Sequence, residues 1–182
     1  GDEVIPHVPG WPSIVEQIHL AEAEPVLVRT SAEDRFELRA DALLEAVTPR
    51  TRGIVLTSPG NPTGAVMSEP ELRRLARGLV GREIWVILDL CYEQLIYDDT
   101  PHNLPGVLQE CLRDRTVLVG TVSKSYAMTG WRCGWLLAPA VVAAGCNAVQ
   151  SHSTSHATSI SQPAALAALT GPQSCVRAMR DE

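Results

Sequence analysis

The chain has 182 residues, of which 45% are hydrophobic and 20% are charged, and its formal net charge is −6. This composition predicts one globular domain with enough apolar residues for a core, and it excludes a disordered chain, which would be more charged and less apolar. An acidic chain without a basic stripe gives no reason to expect nucleic acid or an anionic membrane as a partner. No apolar run approaches the roughly 20 residues that span a bilayer, and the N-terminus does not resemble a signal peptide.

The cysteines and histidines do not form a recognisable metal or disulfide pattern. The five cysteines are scattered and form no CxxC pair, and the five histidines lack the spacing of metal ligands. We therefore expect no disulfide framework and no metal site. The expected compartment is the cytoplasm, where thiols stay reduced.

Short β-branched runs alternate with helical patterns along the chain. The predicted strands are Val4–Ile5, Pro25–Val28, Gly53–Thr57, Trp85–Leu90, Thr116–Gly120 and Gly134–Leu137. The predicted helices are Ser13–Leu20, Arg39–Val47, Glu69–Leu79, Ala140–His152 and Ser161–Leu169. Ser68 and Glu71 form a capping-box pattern before the third helix, and Pro101–Pro105 is predicted to be a surface loop. The alternation predicts a three-layer α/β/α fold with a mostly parallel, doubly wound sheet.

Residues with special chemistry follow the carboxyl ends of four predicted strands. Trp11 follows the first strand, and Asn61 lies in the turn after the third. Asp89 ends the fourth strand, and Lys124 follows the fifth. Because a doubly wound sheet binds ligands beyond the carboxyl ends of its strands, we expect these four side chains to meet at one edge.

Lys124 is the single lysine among the 15 lysine and arginine residues of the chain. Arginine does not lose its proton in proteins, so only lysine can act as an amine nucleophile. An amine at a strand end, flanked by hydroxyls and glycines, suits Schiff-base chemistry with an aldehyde. The alternative is that one lysine has survived by chance, and the neighbouring residues argue against it.

Three polar residues near Lys124 form a candidate anion site. The planar guanidinium of Arg132 suits a phosphate, and the hydroxyls of Thr121 and Ser123 can donate to the same anion. The alternatives are a surface ion pair for the arginine and ordinary loop solvation for the two hydroxyls.

Asp89, Tyr92, Asn61 and Trp11 form a candidate site for a planar ring. A carboxylate at the end of a buried strand needs a cationic partner, and a protonated pyridine nitrogen would be one; a helix N-cap is the alternative. The phenol of Tyr92 and the amide of Asn61 could reach an oxygen on the same ring, and Trp11 could stack on its face. The alternatives are packing for the two aromatic residues and turn formation for the asparagine.

Three strings in this order resemble pyridoxal-phosphate enzymes of fold type I. They are Ser-Pro-Gly-Asn-Pro-Thr-Gly at 58–64, Asp-Leu-Cys-Tyr at 89–92, and Ser-Lys-Ser-Tyr-Ala-Met-Thr-Gly-Trp-Arg-Cys-Gly at 123–134. Over nearly its whole length the chain is similar to class I and II aminotransferases, nearest the bacterial aspartate aminotransferase branch. The resemblance implies an incomplete large domain of these enzymes and pyridoxal 5′-phosphate as the cofactor.

The resemblance also implies a role for each candidate residue. Lys124 would carry the cofactor as an aldimine and move the proton between Cα and C4′. Asp89 would hold the pyridinium nitrogen. The other implied cofactor contacts are with the ring oxygen for Asn61 and Tyr92, with the phosphate for Thr121, Ser123 and Arg132, and with the ring face for Trp11. Thr121 stands where serine is commoner in the family, and Gly10 replaces the aromatic residue that often precedes the tryptophan.

The implied function is transfer of an amino group between an amino acid and a 2-oxo acid. A lyase or decarboxylase on the same fold and a non-catalytic fragment of such an enzyme are the alternatives. Family members are about twice as long and form homodimers, with 151–158 lying where the family has subunit contacts. The resemblance divides this chain into a large-domain segment, 1–170, that lacks the family's first edge strand, and the start of a connection to a small domain, 171–182.

Overall fold

The computed structural model describes residues 1–97 and 100–182, and it contains a mostly parallel sheet flanked by helices. The strands are β1 (Glu3–Val8), β2 (Glu24–Pro25), β3 (Val28–Arg29), β4 (Thr51–Thr57), β5 (Trp85–Asp89), β6 (Thr116–Thr121) and β7 (Gly134–Leu137). The helices are α1 (Pro12–Leu20), α2 (Ala40–Glu45), α3 (Glu69–Leu79), α4 (Leu104–Leu112), α5 (Ala140–Ser153), α6 (Ser161–Thr170) and α7 (Ser174–Asp181). The predicted α/β fold class is confirmed.

The strand order places a ligand-binding edge near the middle of the sheet. The order is β2-β1-β4-β5-β6-β7, with β3 also pairing with β1. All pairs are parallel except β6 with β7. From β1 the chain turns back to β2 and β3 on one side, and the later strands add on the other side. The neighbours β1 and β4 therefore form the topological switch point, where doubly wound folds bind ligands.

One face of the sheet packs tightly against α2, α3 and α4. Ile54, Leu56, Val86 and Leu88 point to this face and are fully buried in a core that includes apolar residues of all three helices. Successive side chains of a strand point to opposite faces. This side is called the closed face below.

The other face, called the open face below, carries Val55, Ile87 and Val119, of which the last is 38% exposed. Helix α1 covers part of this face, because its residues Ile14 and Val15 line a small cavity together with Val55. Helix α5 is different, since none of its described residues is buried.

The capping-box pattern before α3 is only half formed. The Ser68 hydroxyl accepts a hydrogen bond from the Glu71 N–H at 3.4 Å, as the pattern predicts. The Glu71 carboxylate instead accepts the N–H of Ala40 at 2.6 Å. It therefore satisfies a free donor at the first residue of α2 and ties the two helices together.

The prediction of a loop over Pro101–Pro105 is wrong at its end, and helix α4 was missed. Leu104 and Pro105 begin α4, and the side chain of Asn103 accepts the N–H of Gly106 at 3.3 Å. Proline is tolerated in a first helical turn because its nitrogen needs no partner there. The buried residues of α4 have helical spacing, which is the signal that was overlooked: Leu104, Val107, Leu108 and Leu112.

Other element boundaries also differ from the prediction. The run Pro25–Val28 forms two separate two-residue strands, β2 and β3, which pair with different parts of β1. The helix predicted at Arg39–Val47 is shorter, with Arg39 as its N-cap. Helix α7 lies within 171–182, which had been interpreted only as a connection, and it buries Val176. No helix in the described ranges is long and apolar enough to cross a membrane.

Candidate active site

A cleft of about 410 Å³ lies at the carboxyl ends of β4, β5 and β6. It is lined by all eight residues singled out from the sequence, namely Trp11, Asn61, Asp89, Tyr92, Thr121, Ser123, Lys124 and Arg132. Four further lining residues were not singled out: Thr57, Cys91, Val119 and Gly120. An amine, a carboxylate, an amide, a phenol and a guanidinium therefore share one cleft, although they come from three separate segments at or after the ends of β4, β5 and β6.

The parallel strands set the positions of the first side chains. Thr57 of β4 pairs in register with Asp89 of β5, which pairs with Val119 of β6. Residues in register on neighbouring strands point to the same face. These three side chains therefore form a row on the open face at the end of the sheet.

Asp89 is half-buried and has an unusual environment for a carboxylate. Burial raises the pKa of Asp89, while the hydrogen bond that its Oδ1 accepts from the Cys91 N–H, at 2.9 Å, opposes this. Desolvation disfavours the charged form of a carboxylate unless a cation or further donors are present. The alternative of a helix N-cap is wrong, because residues 91–94 form a turn and the next helix, α4, is capped by Asn103.

Asn61 and Tyr92 form a hydrogen-bonded pair in the cleft. The Asn61 Nδ2 donates to the Tyr92 hydroxyl at 3.3 Å. The turn that contains Asn61 is closed by hydrogen bonds from the Gly60 N–H to the Ala65 carbonyl and from the Gly64 N–H to the Gly60 carbonyl. Gly64 has a φ of +71°, which favours glycine. Burial raises the pKa of Tyr92, and the bond from Asn61 partly offsets this effect.

The candidate anion site is built on a network of hydroxyls. The Thr121 hydroxyl donates to the Cys133 carbonyl at 2.9 Å and lies 2.7 Å from the Ser123 hydroxyl. A hydroxyl has one proton. Since Thr121 uses its proton on the carbonyl, Ser123 is the donor between the two hydroxyls. Thr121 therefore holds the loop, and the Ser123 proton is the one that can turn to an anion.

Arg132 is exposed and keeps most of its donors for a ligand. It adopts a left-handed conformation, with a φ of +50°. Its Nη1 donates to the Thr129 carbonyl at 2.9 Å. Among the described residues, this bond uses one of the five guanidinium N–H groups, so the other four are available for an anion.

Lys124 lies in the turn after β6, between two buried residues that fix its backbone. Val122 is 1% exposed and Ser125 is 4% exposed. Burial raises the pKa of the Cys91 thiol, and the positive charge of Lys124 partly opposes this increase. In the described part of the chain, the Lys124 amine forms neither an ion pair nor a hydrogen bond with a side chain. The amine is therefore not engaged by a structural partner.

Trp11 is 48% exposed and lies at the rim of the cleft, directly before α1. Behind it, the Nε2 of His7 accepts the Thr57 N–H at 3.2 Å, so this ring nitrogen carries no proton. Burial lowers the pKa of His7, which favours this neutral form. Among the described residues, no cluster of histidine, cysteine, aspartate and glutamate could hold a metal ion.

Known proteins with similar sequences and structures are aminotransferases. Residues 1–182 match the family described as aminotransferase class I and II. The aspartate aminotransferase of Rhizobium meliloti (strain 1021) is 43% identical over 174 residues, which cover 95% of this chain and 42% of the relative. That of Geobacillus stearothermophilus is 39% identical over 180 residues, which cover 99% of this chain and 46% of the relative.

Solved structures give the same result. The aspartate aminotransferase from Rhizobium meliloti has a TM-score of 0.94 at 41% identity, and the match covers 100% of this chain and 46% of that one. The aromatic aminotransferase from Pyrococcus horikoshii OT3 has a TM-score of 0.93 at 36% identity, with 100% and 49% covered. The chain thus spans about half the length of the relatives that it matches. It belongs to the class I and II aminotransferases, a pyridoxal-phosphate-dependent family.

Proposed function

We propose that the chain forms the cofactor-binding part of an aminotransferase that moves an amino group between an amino acid and a 2-oxo acid. The observation that carries the proposal is the meeting of Lys124, Asp89 and the Asn61–Tyr92 pair in one cleft of about 410 Å³. The amine, the carboxylate and the ring-oxygen donors that pyridoxal phosphate requires are thus all present.

The residues of the cleft fit pyridoxal phosphate in a second respect. Thr57 Oγ1 is a buried polar atom without a hydrogen-bond partner among the described residues, and the side chain of Thr57 lines the cleft. A buried polar group without a partner is costly, so its presence supports a polar ligand here. The donor set also suits a flat anionic heterocycle, since it includes an indole and an exposed guanidinium.

Pyridoxal phosphate supplies an aldehyde that binds amines and a protonated ring that accepts electron density from the substrate Cα. Lys124 would hold the aldehyde carbon and, once released, would move the proton from the substrate Cα to the C4′ carbon of the cofactor. Asp89 would keep the ring nitrogen protonated. A cation close to Asp89 favours its ionised form and so counteracts the pKa increase that burial causes.

The other residues would orient the ring. Asn61 and Tyr92 would donate hydrogen bonds to the ring oxygen, and Trp11 would cover one face of the ring. Arg132 and the Ser123 hydroxyl would bind the phosphate, while Thr121 holds their loop through the Cys133 carbonyl. Positioning of this kind lowers the barrier because the reacting groups need no further ordering.

The names of the relatives suggest the substrate class. They are named aspartate aminotransferase or aspartate/prephenate aminotransferase. We therefore propose aspartate as the amino donor and a 2-oxo acid as the acceptor. The lyase or decarboxylase alternative is not favoured by any of these names.

Three further features belong to the same proposal. The division into a large-domain segment, 1–170, and a connection, 171–182, remains a prediction. So does the homodimer, for which segment 151–158, exposed except at Ala157, is a candidate contact. The five cysteines are all free, which is compatible with a cytoplasmic location.

The covalent role of Lys124 can be tested directly. Pyridoxal phosphate is added to the protein, the adduct is fixed with borohydride, and the modified peptide is identified by mass spectrometry. We expect the label on Lys124 and a visible absorption band that Lys124→Arg lacks, because the guanidinium keeps the charge but does not attack the aldehyde.

Lys124→Arg also serves as its own folding control, since its thermal midpoint should match that of the wild type. Because Lys124 is the single lysine among residues 1–182, no other lysine side chain in this range can account for a band. An equally strong band in Lys124→Arg would remove Lys124 from its role. A wild-type protein without any band would favour the non-catalytic alternative.

A further inference from the structure

Thr57 is the last residue of β4, and its hydroxyl serves no structural hydrogen bond among the described residues. The residue is 7% exposed, and Oγ1 has no hydrogen-bond partner among the residues that the structure describes. Oγ1 is the one buried side-chain polar atom in this condition within residues 1–97 and 100–182. Valine has the same shape and would avoid the cost of burying an unpaired hydroxyl.

The backbone of Thr57 is held in place on both sides. Its N–H donates to His7 Nε2 at 3.2 Å, and the next residue, Ser58, donates its N–H to the Asp89 carbonyl at 3.4 Å. A β-branched side chain has few χ1 choices. The hydroxyl is therefore confined to the neighbourhood of the cleft.

The register partner of Thr57 on the neighbouring strand is Asp89. The two residues are direct partners on the parallel strands β4 and β5, so both side chains point to the open face. The Asp89 carboxylate accepts one hydrogen bond from the Cys91 N–H. In the part of the chain that the structure describes, no side chain donates to it. A carboxylate has about four acceptor positions, so it can take a hydroxyl as well.

We infer that Thr57 is a positioning residue for the bound cofactor, whose hydroxyl donates to the Asp89 carboxylate and orients it toward the ring nitrogen. This inference rests on the proposed function. A hydrogen bond to the charged form favours the ionised carboxylate, and only the ionised carboxylate attracts a protonated ring nitrogen. The two side chains already lie on the same face, at register-paired positions of neighbouring strands.

The inference predicts opposite effects on stability and on cofactor affinity. Thr57→Val removes an unpaired hydroxyl from the free protein, so the thermal midpoint should stay the same or rise by about 2–4 °C. The same substitution should weaken the affinity for pyridoxal phosphate roughly tenfold, or about 1.4 kcal/mol. Thr57→Ser keeps the hydroxyl and should bind the cofactor within about twofold of the wild type.

The experiment is a spectroscopic titration of wild type, Thr57→Val and Thr57→Ser with pyridoxal phosphate, together with thermal unfolding of each protein without the cofactor. Equal affinity in Thr57→Val overturns the inference, and so does an equal loss in Thr57→Ser. A lower midpoint in Thr57→Val also overturns it, because the hydroxyl would then have a partner within the fold. If the wild type binds no pyridoxal phosphate, the proposed function fails, and this inference fails with it.

Discussion

The closed face and the open face of the sheet take alternate residues from the same strands. On β4, Leu56 is fully buried against the helices, and the next residue, Thr57, lines the cleft. On β5, Leu88 is fully buried, and the next residue, Asp89, lines the cleft. Because successive strand residues point to opposite faces, one step along the chain separates the residues that hold the fold from those that act on a ligand.

Asp89→Asn should produce the largest effect, and that effect should be on the reaction. Under the proposed function, an amide cannot supply the negative charge that keeps the ring nitrogen protonated. We expect the rate of amino transfer from aspartate to fall about 10²–10³-fold, or about 3–4 kcal/mol. Single-turnover measurements of the cofactor absorbance after addition of aspartate to the loaded protein would give this rate.

The stability of Asp89→Asn separates this effect from misfolding. Burial already disfavours the charged form of Asp89, so the amide should not lower the free energy of unfolding of the free protein at neutral pH. An unchanged rate would contradict the role of Asp89. A marked loss of stability would instead contradict the assignment of ligand binding to the open face and of fold stability to the closed face.

Leu88→Ala should produce the next largest effect, and that effect should be on stability. Leu88 is fully buried in the core between β5 and the helices, so its truncation should cost about 3 kcal/mol. Its neighbour Ile87 points to the open face and is only partly buried. Ile87→Ala removes the same number of carbon atoms and should cost about half as much. Urea unfolding of both variants would measure the difference, and equal losses would mean that the open face is packed as tightly as the closed face.

The sequence predicts the candidate site better than it predicts the boundaries of helices. Asp89 and Lys124 are recognisable because the carboxylate ends a buried strand and the single lysine follows one. A charged group costs free energy at such a position unless it has a function or a partner there. Helix α4 was missed because Pro105 and Gly106 both suggest a loop. The helix forms nevertheless, since Asn103 caps it and its leucines reach the core.

Thr57 could not have been found from the sequence. A threonine at the end of a β-branched run is ordinary for a strand. What distinguishes it is that its hydroxyl has no partner in the described part of the chain, which depends on the folded positions of residues such as Asp89, 32 positions later. Likewise, the local capping-box pattern predicts that the Glu71 carboxylate accepts the N–H of Ser68. It accepts the N–H of Ala40, 31 residues earlier, instead.

The smallest expected effect is a pH dependence of the free energy of unfolding, caused by the Asp89 carboxyl on the open face. Burial raises the folded-state pKa of Asp89 above its ordinary value of about 3.8. Between pH 3.8 and the folded-state pKa of Asp89, the folded protein binds more protons than the unfolded chain. The carboxyl therefore contributes stability that is fully present below pH 3.8 and is lost as the pH rises through the folded-state pKa. The free energy of unfolding of Asp89→Asn, minus that of the wild type, should therefore increase with pH across this window and then level off. Urea titrations of the free proteins at several pH values would measure it, with His7 and His102 contributing equally to both proteins. A difference that stays constant with pH would mean that the carboxylate is as well solvated in the folded cleft as in the unfolded chain.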